Sequence, residues 1–159
     1  MKRATMRTSF NSWENSRKYD VDQLDFMEHI KNPENPIYSR TIPVKTVSEA
    51  NISEHWTKRS KRHSMQKMAV TSFLRADSPN IKPPCTIKLT RIAPRQLDRH
   101  ENLPCSFKYI VDAICEYIHP GKAAGRADDD PNIKIEYAQE KGAPKTYEIR
   151  IEITQNPSS

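Results

Sequence analysis

Seven residues in the second half of the chain have types and spacing suited to chemistry. Asp98 and Glu101 stand just before a helix-forming stretch, Lys108 and Asp112 lie within it, and Asp128, Asp129 and Asp130 follow after a loop. Glu101, Lys108 and Asp112 are spaced i, i+7 and i+11, which puts them on one helix face, opposite an apolar arc of Leu103, Phe107, Ile110 and Ile114. Carboxylates brought together from separate segments are ligands for a hard divalent cation such as Mg²⁺, which prefers carboxylate and water oxygens. Such an ion lowers the pKa of a bound water and neutralises phosphate charge, so the set suits phosphodiester hydrolysis. A lysine beside it would stabilise charge in the transition state. Taken singly, the same residues read as the polar face of an amphipathic helix and a solvated acidic turn.

The charge distribution points to the same class of substrate. The 159 residues carry 26 Lys+Arg against 20 Asp+Glu, a formal charge of +6. Residues 40–75 hold 8 basic and 2 acidic residues, whereas 1–39 hold 6 of each and 76–159 hold 12 of each, so the whole excess lies in one segment. Its densest part is Lys58-Arg59-Ser60-Lys61-Arg62-His63, with Lys67 beyond it. A patch of this kind attracts a phosphate backbone through counterion release; the same run also fits a solvated helix face. Lys58, Arg59, Lys61, Arg62 and Lys67 are the candidate DNA-binding residues.

Several classes are excluded. With only 3 Gly there is no Gly-rich phosphate loop of either the dinucleotide or the P-loop type. No apolar run approaches the roughly 20 residues of a membrane-spanning helix, and the first ten residues lack the apolar centre of a secretory signal. Cys85, Cys105 and Cys115 are an odd set without C-x-x-C spacing, which argues against a disulfide framework and for a reducing cytosol.

The elements that must position these residues follow from periodicity. Residues 1–39 read as a flexible N-terminal extension with one short amphipathic helix at Val21–Ile30, and 40–155 as one domain. Ile42–Val47 is expected as a strand. Asn51 with Glu54 makes a capping-box pattern that opens a helix running to about Arg75, with Ile52, Trp56, Met65, Ala69 and Phe73 inward. Pro79, Pro83 and Pro84 break the chain, and Thr86–Ile92 alternates as a strand with Ile87 and Leu89 on one face. A second helix is expected at Asn102–Ile118, with Pro104 tolerated in its first turn. Ile133–Tyr137 and Tyr147–Ile153 alternate and are expected to form a hairpin. The order β-α-β-α-β-β implies a small mixed α/β (α+β) sheet with helices packed on it.

The stretch Leu97-Asp98-Arg99-His100-Glu101-Asn102-Leu103, followed by Phe107-Lys108 and Asp112-Ala113-Ile114, resembles the D-x-D-N-L-x-K-x-x-x-D-x-L signature of RusA-like Holliday junction resolvases. Asp129-Asp130-Pro131-Asn132-Ile133 looks like the family's D-D-x-x-[IV] motif before a strand. Thr46-Val47-Ser48-Glu49-Ala50-Asn51, with Glu54-His55-Trp56, is similar to the opening of a phage-associated branch, and the resemblance spans roughly residues 42–153. It implies a small α/β homodimer that binds four-way DNA junctions and cuts two opposed strands with Mg²⁺ or Mn²⁺, in the cytoplasm of a bacterial or phage-infected cell. Residue by residue it implies Asp98 and Glu101 as the first acidic pair, Asp130 as the later catalytic aspartate, Lys108 as the catalytic lysine, and Asp112 and Asp129 as accompanying acids. The first pair stands three residues apart where the signature has two Asp residues two apart, and Arg99 falls within it.

Two other readings stand beside this one: a non-catalytic nucleic-acid-binding protein that keeps the fold, and an interaction module that reaches a partner protein through residues 1–39. Cys115-x-x-x-His119 has the spacing of half a zinc site, but no second pair accompanies it, so a packed Cys and a surface His are expected. His100 is read as a solvent-exposed loop residue, with a general base or phosphate contact as the alternative. Trp56 is expected in the core, with base stacking as the alternative. No Ser/His/Asp triad can be identified.

Overall fold

The computed structural model describes residues 35–49, 53–121 and 129–156, all within one unit that spans Glu34–Ser159. The helix expected at Val21–Ile30, and also Asn51, Ile52 and Asp128, lie outside the described residues. The elements are β1 (Tyr38–Ile42), α1 (Trp56–Asp77), β2 (Cys85–Ala93), α2 (Asn102–Ile118), β3 (Ile133–Lys141) and β4 (Glu148–Gln155). This is the expected β-α-β-α-β-β order, folded as a four-stranded mixed sheet with two helices.

The sheet order is β1-β4-β2-β3. Strand β4 runs antiparallel to both β1 and β2, and β3 runs parallel to β2. The expected β3–β4 hairpin is therefore not formed, because β2 lies between the two strands. Helix α2 supplies the crossover that parallel neighbours require. The link from β3 to β4 crosses the end of β2, where the Gly142 N–H donates to the Ala93 carbonyl at 3.0 Å. A Cβ on Gly142 would stand 3.1 Å from Ile92 Cγ2 and 3.2 Å from the Ala93 nitrogen, so this crossing favours glycine.

One sheet face is apolar. In register across it lie Ile42 and Ile149, then Ile151 beside Leu89, then Ile153 beside Ile87, all fully or almost fully buried. This face meets the helices: Tyr38 donates to Asp77 at the end of α1, Arg40 lies over the Phe73 ring, and Tyr137 stacks on Phe107 of α2. The other face carries Thr86, Lys88, Glu152 and Arg150 and is laced by ion pairs such as Arg150–Glu140 at 2.8 Å. Helix α2 has the predicted limits and buries Leu103, Phe107, Ile110, Val111, Ile114 and Ile118 against the sheet side. Each such side chain contributes roughly 1.5–3 kcal/mol.

Two expectations shift in the first half. Strand β1 ends at Ile42, not Val47, because Pro43 has no N–H to continue the ladder. The alternation itself persists: Ile42, Val44 and Thr46 face inward while Pro43 and Lys45 face out. Helix α1 starts at Trp56 under the His55 ring, which accepts from the Thr57 N–H, and Glu54 is turned away to pair with Arg62 instead of closing a capping box. Its inward residues are Gln66, Val70 and Leu74, with Ala69 and Phe73 partly buried. Trp56 and Met65, expected inside, are 71% and 57% exposed. The apolar residues of α1 are scattered around its circumference, so its own pattern does not fix which side is buried. Contacts with α2 do: His63 stacks on Tyr109 with centroids 3.4 Å apart, and Lys67 pairs with Glu116 at 2.8 Å.

Candidate functional site

The two acidic segments sit at opposite ends of α2. Asp98 lies in the turn before the helix, and its Oδ2 accepts from the Glu101 N–H at 3.0 Å while its carbonyl accepts from Leu103. Asp98 thus closes the turn that leads into α2, whose N-cap is Glu101, with no side-chain capping bond. The hydrogen bond from the Glu101 amide, with help from neighbouring amides and His100, holds its carboxyl below the ordinary range. Glu101 and His100 are exposed beside it. The turn is fixed to the far end of β3 by paired bonds between Leu97 and Gln139, at 2.9 and 2.8 Å.

Asp130 lies at the other end, between α2 and β3, with its side chain only 9% exposed. Its Oδ2 is 2.8 Å from Nε2 of His119, the residue that ends α2. Its Oδ1 accepts from the Asn132 backbone and side chain at 2.9 and 3.1 Å. The nearby Cys85 thiol is pushed up by burial and then by the Asp130 charge. Asp129 beside it is exposed. His119, read from the sequence as a surface residue, is in fact the partner of Asp130. The 17 residues of α2 span roughly 25 Å, and β3 from Ile133 to Gln139 runs roughly 20 Å.

One chain therefore does not bring Asp98 and Glu101 to Asp130. Between the two ends Lys108 is exposed and Asp112 is half-buried. Among the described residues no group of three His, Cys, Asp or Glu side chains is gathered for a metal. The donor set expected for Mg²⁺ is not assembled within a single copy.

The basic residues of α1 fall into two classes. Arg62 reaches both Glu49, at 2.7 Å, and Glu54, and Arg59 lies 3.3 Å from Glu49. Burial alone would raise the Glu49 carboxyl, but hydrogen bonds from Arg62 and His63 and their charges hold it below the usual range. Lys67 is held by Glu116. Lys58 and Lys61 are exposed and make no ion pair among the described residues. They rim a cavity of about 460 Å³ floored by Val44, Val47 and Met65.

A further cationic site was not anticipated from the sequence. Arg91 of β2 continues the inward phase of Ile87 and Leu89 and is 6% exposed. It borders a cavity of about 510 Å³ at the start of α2, together with Lys45 and Arg95. The inward period of two was the signal that marked it.

No family model matches the chain, and no curated protein matches it. No described helix is long and apolar enough to cross a membrane.

Proposed function

We propose that the chain is a Mg²⁺-dependent (or Mn²⁺-dependent), structure-selective endodeoxyribonuclease of the RusA-like Holliday junction resolvase type, acting on branched DNA as a homodimer in recombination and repair. The observation that carries this reading is the division of its two motif segments between the ends of one helix: Asp98 and Glu101 before α2, and the shielded Asp130 after it. In an isologous pair with α2 antiparallel to its mate, the start of one helix lies beside the end of the other. Each of two equivalent sites then receives Asp98 and Glu101 from one copy and Asp130 from its partner, and two such sites suit two opposed cuts. The free lysines of α1 supply sequence-independent phosphate contacts, and the exposed ring of Trp56 beside them is a stacking surface for an unpaired base.

The test is single-turnover cutting of a synthetic four-way junction in Mg²⁺, with binding followed in Ca²⁺ or EDTA. Asp130→Asn and Asp98→Asn are each expected to abolish cutting and leave binding intact. Mixing the two variants restores one intact site per mixed dimer, so single-strand nicking returns without paired cuts. A dead mixture alongside an active wild type refutes the shared site. The same experiment addresses a second reading, favoured by the engagement of the Asp98 carboxylate with the Glu101 amide in the turn before α2. Junction binding with no cutting in Mg²⁺ or Mn²⁺ identifies a non-catalytic nucleic-acid-binding protein.

A further inference from the structure

We propose that the cavity around Arg91 is a phosphate-binding site. Arg91 is a shielded guanidinium with only neutral partners: its Nε donates to Thr46 Oγ1 at 3.0 Å, and its Nη1 donates to the Arg95 carbonyl at 2.6 Å. No carboxylate among the described residues pairs with it. Arg62, well shielded too, is by contrast gripped by Glu49 and Glu54. Burying a charge without a counter-charge is strongly unfavourable, and burial does depress the pKa of Arg91. An anion in the adjoining cavity removes that cost.

The lining fits such an anion. Lys45, from the β1–α1 connection, and Arg95, from the β2–α2 turn, join Arg91 of β2, and among the described residues no Asp or Glu lines the cavity. The Lys45 ammonium is held 4.6 Å from the centre of the Tyr147 ring, also at the cavity wall. Cations from separate segments, with the Thr46 hydroxyl beside them, would meet a ligand from several sides instead of as one planar fork. That arrangement suits a tetrahedral oxyanion. The ligand is a phosphate group, carried either by a nucleic-acid backbone or by a free phosphate. The backbone source rests on the function proposed above; the binding of phosphate itself does not.

The experiment titrates inorganic phosphate into the full chain, against sodium chloride of equal ionic strength. It follows thermal unfolding and binding heat for the wild type, Lys45→Gln/Arg95→Gln and Arg91→Met. Phosphate is expected to raise the wild-type Tm beyond the chloride control. The exposed double variant should fold normally and bind phosphate about tenfold or more weakly, since two charge-assisted contacts are gone. Arg91→Met should lose the phosphate response while keeping its stability, because an unpaired buried charge has been replaced by an apolar chain. A purely structural arginine predicts the reverse, a less stable Arg91→Met and an undiminished phosphate response in the double variant, and that result overturns the proposal. So does a wild type that responds to phosphate no more than to chloride. In a second arm, phosphate competes with a junction oligonucleotide. Competition in the wild type that is lost in Arg91→Met assigns the site to the DNA backbone. Phosphate binding without competition, or without any DNA binding, assigns it to a free phosphate and counts against the nuclease reading alone.

Discussion

Replacing Glu49 with Gln should make the protein less stable and a better DNA binder. Glu49 is 19% exposed, as is Arg62, so water screens this pair little. The glutamine keeps an acceptor oxygen, and what is lost is the difference between charge-assisted and neutral hydrogen bonds, about 1 kcal/mol for the 2.7 Å contact with Arg62. The contact with Arg59 adds less, because it is 3.3 Å long and Arg59 is 41% exposed, and the contact with His63 adds less because it is 3.2 Å long. A total of about 1–2 kcal/mol lowers Tm by about 3–10 °C for a domain of this size. The substitution also removes the negative charge that binds two arginine heads. If these then meet phosphates, the plot of log K against log salt should steepen by about 1 to 2.

The assay is a thermal melt beside junction binding at several salt concentrations. A pH series adds a second check with a fixed sign. The folded-state pKa of Glu49 is lowered, so its stabilisation is present above its unfolded value of about 4.3 and is lost as pH falls through the folded value. The Tm gap between wild type and variant should therefore be full near neutrality and close in acid. Weaker binding that tracks the loss of stability would refute the idea that Glu49 restrains DNA-binding arginines. A gap that persists unchanged at low pH would refute the charge pairing.

Neutralising Lys58 and Lys61 together should lower the salt slope by about 2 and change stability by no more than about 0.5 kcal/mol, measured by titration and melting. An unaltered slope would show that DNA is held elsewhere. Gly142→Ala should cost about 1–2 kcal/mol in a denaturant melt, because its Cβ would press on the Ala93 backbone nitrogen, which cannot swing aside as a side chain can. A neutral result would mean that the β3–β4 link does not hold the close approach to β2.

What the sequence disclosed depends on how much of each signal was local. Helix α2 was legible to its end residues because its apolar arc is continuous and Pro104 marks its first turn. Strand β2 was legible from its alternation. The pairing of the strands was not. Ile133–Tyr137 and Tyr147–Ile153 look like two arms of a hairpin, and nothing within them says that β2 lies between them; that follows from the α2 crossover and the close passage at Gly142. Trp56 and Met65 were misplaced for a related reason. The buried side of α1 is chosen by Tyr109 and Glu116 on another helix, which no periodicity within α1 can reveal. In the candidate site, the acidic residues were legible as types and motifs, but their separation by the length of α2 was not.

Net charge was legible in the same limited sense. Residues 40–75 hold the whole excess of +6, yet three of the five cations expected to grip DNA are already engaged, Arg59 and Arg62 by carboxylates within the segment and Lys67 by Glu116 outside it. On the proposed reading, a phosphate meets cations that carboxylates do not already hold. Lys58 and Lys61 stand on α1, Arg91 and Arg95 belong to the β2 side, and Lys45 borders the cavities of both groups. Through Lys45 these five cations link α1 with the end of α2 that carries Asp98 and Glu101. A backbone laid along them runs toward that acidic pair and away from Asp130. That placement is what the proposed homodimer requires, in which a second copy presenting its own Asp130 would complete the site.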